Sequence, residues 1–321
     1  MRFLLLCSIT VFSASPALWA APRDARHQAI DRALTYLYQS ASNDAVFART
    51  GADLLWCFFS IRHTDGDRKL RTSAERMGRE LALRWRNQHR HVPADATANQ
   101  IDMLLEGSYA ADRLGVPDPR LKAELRQAVP RFNAVDYLGF DPLLGPPRAD
   151  DPKRYDIFCN ALIRSYFGDA TGIPMGAHYR DVIKWLPRMR PYAADDDDLE
   201  FDIFYAVTHV IYTLNGYNER RISSSLLPEE FSYLRGKLKE AIEDDDLEMV
   251  GEILDCLKAF GFAGDPDVRA GEEYLISAQQ PDGGWLEDSD DPYTVFHSAW
   301  TSIDGLRDYR FHGTVKKMPA P

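Results

Sequence analysis

Gly261-Phe262-Ala263-Gly264-Asp265-Pro266, followed by Pro281-Asp282-Gly283-Gly284, divides the C-terminal part of the chain into helices predicted over 246–261, 266–279 and 293–309. Glycine and proline at these places stop one helix and start the next. The same reading extends back to the N-terminus. Apolar residues recur at helical spacing nearly everywhere, and the alternating apolar–polar runs of half-buried strands are scarce. Further helices are predicted near 25–40, 45–62, 68–88, 94–114, 118–130, 153–168, 177–187, 198–216 and 229–242, with stops at Asp65-Gly66-Asp67 and Gly115-Val116-Pro117. Two longer irregular pieces, 139–151 and 188–197, have the length of segments that cover a site or move. About a dozen helices joined by short links predict an all-α fold of stacked helical hairpins. The hairpins either run on as an open solenoid or close into an α/α toroid. Neither a strict repeat period nor a constant linker length is present, which suits the toroid.

Met1-Arg2, the apolar run Phe3–Ser15 and the small residues ending at Ala20-Ala21 have the order of a secretory signal peptide, with cleavage after Ala20. Residues 1–20 are therefore expected to be a leader and 21–321 one domain, exported and periplasmic. The leader's apolar run is too short for a lasting membrane span, and no later stretch is long and uncharged enough. With 45% hydrophobic residues the chain has enough apolar side chains for a large core. A formal charge of −11 argues against nucleic acid as a partner and leaves small-molecule, lipid-like or peptide ligands open. Beyond Cys7 there are Cys57, Cys159 and Cys256, each in an apolar helical setting. They read as buried thiols, or as one disulfide and a leftover thiol, and not as a disulfide framework.

Asp195-Asp196-Asp197-Asp198-Leu199-Glu200-Phe201-Asp202 leads into a helix on which Asp198, Asp202, Tyr205, His209 and Tyr212 share one face. The last helix repeats the theme with His297, Trp300 and Asp304. Each helix thus offers a His and an Asp seven residues apart, and in a toroid such stripes would face the central cavity. The proposed site residues are Asp202, Tyr205, His209, His297 and Asp304. Two uses of them are open. His209 and His297, with Asp202 or Asp304, have the donor types of a zinc or other divalent-metal site. Without metal, a His near neutral pKa beside a carboxylate is a general acid–base pair, with Tyr205 as a further proton donor. The aspartate run itself reads first as a helix cap that favours the helix dipole. No metalloprotease motif, nucleophile elbow, phosphate loop or dinucleotide fingerprint occurs.

Gln279-Gln280-Pro281-Asp282-Gly283-Gly284-Trp285 resembles the glutamine–tryptophan repeat of squalene and hopene cyclases. Asp291-Pro292-Tyr293 with Phe296-His297-Ser298-Ala299-Trp300, running to Gly305-Leu306, is similar to the last helix of protein prenyltransferase β subunits. The resemblance implies an α/α toroid, makes His297 a zinc ligand, and gives an isoprenoid, lipid-like or peptide ligand. Asp195, Asp197 and Asp198 also fit the Asp-x-Asp-Asp pattern with which such cyclases protonate an alkene. In the prenyltransferases the other zinc ligands are an Asp and a Cys one residue apart. The nearest counterpart here, Asp255-Cys256, is adjacent and so about 100° apart around a helix. Three functions follow as expectations: an enzyme with a His/Asp site in a toroid cavity, a non-catalytic periplasmic ligand- or peptide-binding scaffold, and a glycan lyase or hydrolase, since these also use α/α toroids outside the cytoplasm.

Overall fold

The computed structural model describes residues 23–194, 196–286 and 291–320; the expected leader lies outside them. Among the described residues there are thirteen α-helices: α1 (Arg23–Ser40), α2 (Asp44–Thr64), α3 (Arg68–Gln88), α4 (Ala98–Arg113), α5 (Pro119–Ala128), α6 (Ala134–Leu138), α7 (Arg154–Thr171), α8 (Tyr179–Ile183), α9 (Asp197–Asn215), α10 (Pro228–Glu243), α11 (Leu247–Ala259), α12 (Pro266–Ala278) and α13 (Pro292–Leu306). The all-helical expectation holds. The strand content described is a two-residue parallel pair, Arg221–Ile222 (β1) with Thr314–Val315 (β2), that fastens the C-terminal segment beside α9. No helix among the described residues is long and apolar enough to cross a membrane.

The helix ends are written locally. Asn43, Asp67, Asp118, Asp196, Asp265 and Asp291 each accept a hydrogen bond from a backbone N–H of the first turn. Thr97 and Gln100 form a reciprocal capping box. These side chains satisfy donors that the helix cannot pair internally. Gly139, Gly172 and Gly216 end α6, α7 and α9 in the left-handed conformation. Sequence and structure differ in detail. The helix expected over 94–114 starts only at Ala98, where Thr97 caps it, and the one expected over 177–187 is α8 plus a 3-10 turn at Leu186–Arg188. The short α6 was not expected; five residues are too few to show a period.

Packing follows a circuit. α2 contacts α4, α4 contacts α7, α7 contacts α9, α9 contacts α11, α11 contacts α13, and α13 contacts α2. The remaining helices flank this set: α1 touches α2, α12 and α13, α3 touches α2 and α4, α10 touches α9 and α11, and α12 touches α11 and α13. The Gln279–Trp285 turn ties the end of α12 back to α1. Gln279 Nε2 donates to the carbonyls of Ala29 at 2.9 Å and Gly283 at 3.0 Å, and Trp285 is buried with Nε1 donating to Leu275 O. Gly283 has φ +102°, and a Cβ there would meet Arg32 O at 2.7 Å, so this turn needs glycine for both conformation and space. Cys57, Cys159 and Cys256 are buried free thiols.

The closest approach of two helices is that of α11 and α13. A Cβ on Gly251 would lie 2.5 Å from Thr301 O, and one on Gly305 2.9 Å from Gly251 Cα. Gly251→Ala must therefore push the helices apart and should lower stability by roughly 1–3 kcal/mol. Gly236, exposed in mid-α10 with nothing near its Cβ position, should behave oppositely, Gly236→Ala raising stability by about 1 kcal/mol. Urea unfolding of the two variants checks the pair.

Candidate functional site

A cavity of about 470 Å³ is lined by residues of α2, α4, α7, α9 and α13. Its ionisable residues are Asp53, Asp102, Glu106, Asp156, Arg164, Asp202, His209 and His297. Trp56, Phe167, Tyr205, Tyr217, Tyr293 and Trp300 supply aromatic walls. A narrower space of about 60 Å³ continues below it to Ser60, Asn218, Glu252, Asp255, Thr301 and Asp304. Glu248 borders a pocket beside it that shares Phe201, Tyr205 and Tyr293 with the cavity.

One wall is aimed by unusual backbone. After Gly216, both Tyr217 (φ 51°) and Asn218 (φ 68°) adopt the left-handed conformation, which non-glycine residues rarely do. Asn215 holds this turn, its side-chain oxygen accepting from Asn218 N at 2.8 Å. The result sets the Tyr217 ring edge-on to Trp56, centroids 4.8 Å apart, and parallel to Phe167 at 6.0 Å.

Of the residues expected from sequence, Asp202, Tyr205, His209 and His297 line the same cavity. His209 Nδ1 lies 2.9 Å from Tyr205 O, a contact that only an N–H can serve, so Nε2 keeps its lone pair. Burial pulls the His209 pKa down to about 4, and His297 adds to this, so the ring is neutral at pH 7. The Tyr205 ring is nearly parallel to those of both His209, at 5.7 Å, and His297, at 6.4 Å. Asp202 is held above the usual carboxylate range by burial and by Asp156 and Asp198. Asp304 is placed differently from the expectation. It pairs with the fully buried Arg307 at 2.6 Å, and Arg307 in turn bonds Thr64 Oγ1 and Ser60 Oγ, so Asp304 lines the narrower space below the cavity, along with His209 and His297, and not the cavity itself.

Two further expectations change. Asp197 and Asp198 are exposed at the start of α9, where Asp196 caps the helix, and an exposed carboxylate is not the dry, protonated acid that alkene protonation requires; Asp195 lies outside the described residues. Asp255 accepts two hydrogen bonds from Asn218 Nδ2, and Cys256 is a buried thiol, so neither joins His297. The groups that do meet His297 are Glu248 and Glu252 of α11. His297 Nδ1 lies 3.0 Å from Glu248 Oε1, an ion-pair approach rather than an aligned hydrogen bond. His209 is outside this group, so the two histidines do not share one ligand set.

The carboxylates missed in the sequence matter as much. Burial raises Asp53 to about 6, against the opposing charge of His297. It raises Glu106 well above its usual value, reinforced by the charges of Asp53 and Asp102. Asp102 is also raised to about 6 by burial, although Arg164 Nε pairs with it at 2.8 Å. On the α11 side burial lifts Glu252 to about 8. Burial also works to raise Glu248, but His297 and the Tyr205 hydroxyl, which donates to it, hold it below the usual value. Asp53, Asp102, Glu106 and Glu252 each stand between uncharged neighbours, as in Leu105-Glu106-Gly107 and Gly251-Glu252-Ile253, and that isolation was the available signal; Glu248 follows the acidic run Glu243–Asp246 and carried no such signal. Neighbouring carboxyls with pKa values pushed apart are the electrostatic mark of an acid–base site.

Compared with known proteins, the chain matches no family model, no curated protein and no solved structure.

Asp53 gives a pH-dependent test. Its folded pKa lies above its unfolded value of 3.8, so its contribution to stability is intact below pH 3.8 and falls away as pH rises toward 6. Asp53→Asn should therefore match the parent protein in stability at about pH 3.5 and exceed it at pH 7 by on the order of 2 kcal/mol, read by thermal melts at both pH values.

Proposed function

We propose that the helix circuit is an α/α toroid of six hairpins, with α2, α4, α7, α9, α11 and α13 as the inner ring, and that its cavity carries out acid–base chemistry on a saccharide. The observation that carries this reading is the Asp53–Glu106 pair. Two carboxyl groups from adjacent helices line one cavity, and burial, reinforced by the charges of Asp53 and Asp102, holds Glu106 well above the usual carboxylate range and favours its protonated form. Neutral His209, with its Nε2 lone pair, is a proton acceptor in the same cavity. A held proton and an acceptor around one space are what cleavage of a glycosidic bond, by hydrolysis or elimination, requires.

The lining supports this ligand class. Trp56, Tyr217 and Trp300 offer flat apolar faces, and the carboxylates and His209 offer acceptors for hydroxyl groups. A prenyl diphosphate suits the cavity less well. Five carboxyl groups line it against one arginine already paired to Asp102, so its field repels anions. An exported location, which residues 1–20 imply, would put the cavity among envelope and extracellular glycans.

A panel of neutral and acidic oligosaccharides and polysaccharides, assayed for new reducing ends and for unsaturated products, tests this reading. The wild-type chain is expected to cleave at least one of them, and Glu106→Gln, which cannot give up a proton, should be slower by ~100-fold or more. Binding without cleavage would support the scaffold function instead. Full activity in Glu106→Gln would remove the assignment of the proton donor.

A further inference from the structure

We infer that Glu248, Glu252 and His297 hold a divalent cation of the zinc or manganese type against the α11–α13 wall. This goes beyond the saccharide reading and does not depend on it, since it uses other residues and is measured without substrate.

One ligand atom from each of the three side chains lies within 4.8 Å of the other two. That is close to the span of two donors on either side of an ion bound at ~2.0–2.2 Å. A second observation is independent of this spacing. Glu252 Oε2 is a buried atom without a hydrogen-bond partner, in a residue only 2% exposed, and the His297 Nδ1 beside this group is met by Glu248 in an ion-pair approach without an aligned hydrogen bond. Leaving a buried carboxyl oxygen unpartnered costs free energy, and one cation would satisfy it together with Glu248 and His297. Glu248 and Glu252 stand one turn apart on the same face of α11, so that an ion beside His297 can take a ligand from each.

The surroundings fix the donors in place. Tyr205 donates its hydroxyl to Glu248, and the Thr208 hydroxyl is a hydrogen-bonding neighbour of Glu252. Tyr293 lies nearly parallel to His297, centroids 5.2 Å apart. Such outer contacts orient ligands and tune their basicity. Two carboxylates and one imidazole make three protein ligands, which leaves a coordination position for water or a ligand from the cavity, as in metal sites that do chemistry. A bound cation requires Glu252 ionised and His297 neutral, so binding releases protons and weakens as pH falls.

The test uses the full chain, purified without an affinity metal, stripped with EDTA and titrated calorimetrically with Zn²⁺ and with Mn²⁺ at neutral pH. Saturable binding of one ion per chain is expected. It should weaken by more than ~100-fold in Glu252→Gln and in His297→Ala, and by about 10-fold in Tyr205→Phe. Glu106→Gln should keep the ion while losing saccharide cleavage, which separates this proposal from the proposed function. Circular dichroism accompanies each variant, and the isosteric Glu252→Gln decides the matter if His297→Ala does not fold. No saturable binding of either metal, or binding that a folded Glu252→Gln leaves unchanged, would overturn the proposal and leave a Glu248–His297 ion pair beside a protonated Glu252.

Discussion

Where α11 crosses α13, neither helix has room for a side chain. Gly251 abuts the Thr301 carbonyl and Gly305 abuts Gly251, so the two backbones meet directly. The rest of the site depends on that approach. Glu248 and Glu252 flank Gly251 on α11, and His297 stands one turn before Thr301 on α13. Bringing the backbones together brings these three side chains together as well. A methyl group at either glycine would separate the helices by part of a side-chain diameter, a small distance for the fold and a large one for groups within 4.8 Å of each other. Helix contacts through small residues are usually read as packing; here the packing also positions ionisable groups.

The buried charges fall into two sets with different physical roles. Below the cavity, Arg307 gathers Asp304, Thr64 and Ser60, and Asp255 is held by Asn218. Nearby, Lys258 pairs with Glu272 at 2.6 Å and donates to the carbonyls of Gly305 and Arg307, while Arg26 pairs with both Glu272 and Asp308. These groups are neutralised and tie α1, α11, α12 and the end of α13 together. Of the cavity acids, Asp102 is paired with Arg164, but others are not neutralised in this way. Asp53 and Glu106 have no salt-bridge partner among the described residues, and Glu252 Oε2 has no hydrogen bond. Buried networks of the first kind hold a fold in one arrangement, whereas uncompensated groups of the second kind cost stability and are retained where a ligand, ion or proton completes them.

The sequence made the helices legible because capping residues and glycine stops coincide with 3.6-residue periodicity along most of the chain. The short α6 and the β1–β2 pair escaped because they are shorter than a recognisable period. On α9 the stripe reading carried through, and Asp202, Tyr205 and His209 do share a wall with His297. On α13 it carried only as far as His297. Asp304 follows the same periodicity, but Arg307, three residues later on the same face, takes it into the network below the cavity. Glu248, Glu252, Asp53 and Glu106 were not singled out because they lie on three separate helices, α2, α4 and α11, with no histidine in step with them, and their convergence is a tertiary fact. Asp255-Cys256 resembles the prenyltransferase ligand pair only in residue type, while the carboxylates that meet His297 lie one and two turns earlier on the same helix.

The most direct measurement is anomalous diffraction at the zinc edge from crystals of the chain grown with Zn²⁺. The account predicts a peak within bonding distance of Glu252 Oε2 and His297 Nδ1, with a Glu248 oxygen as third neighbour and the remaining position open to the cavity. Zinc found only at surface histidines, with Glu248, Glu252 and His297 arranged as in its absence, would contradict it.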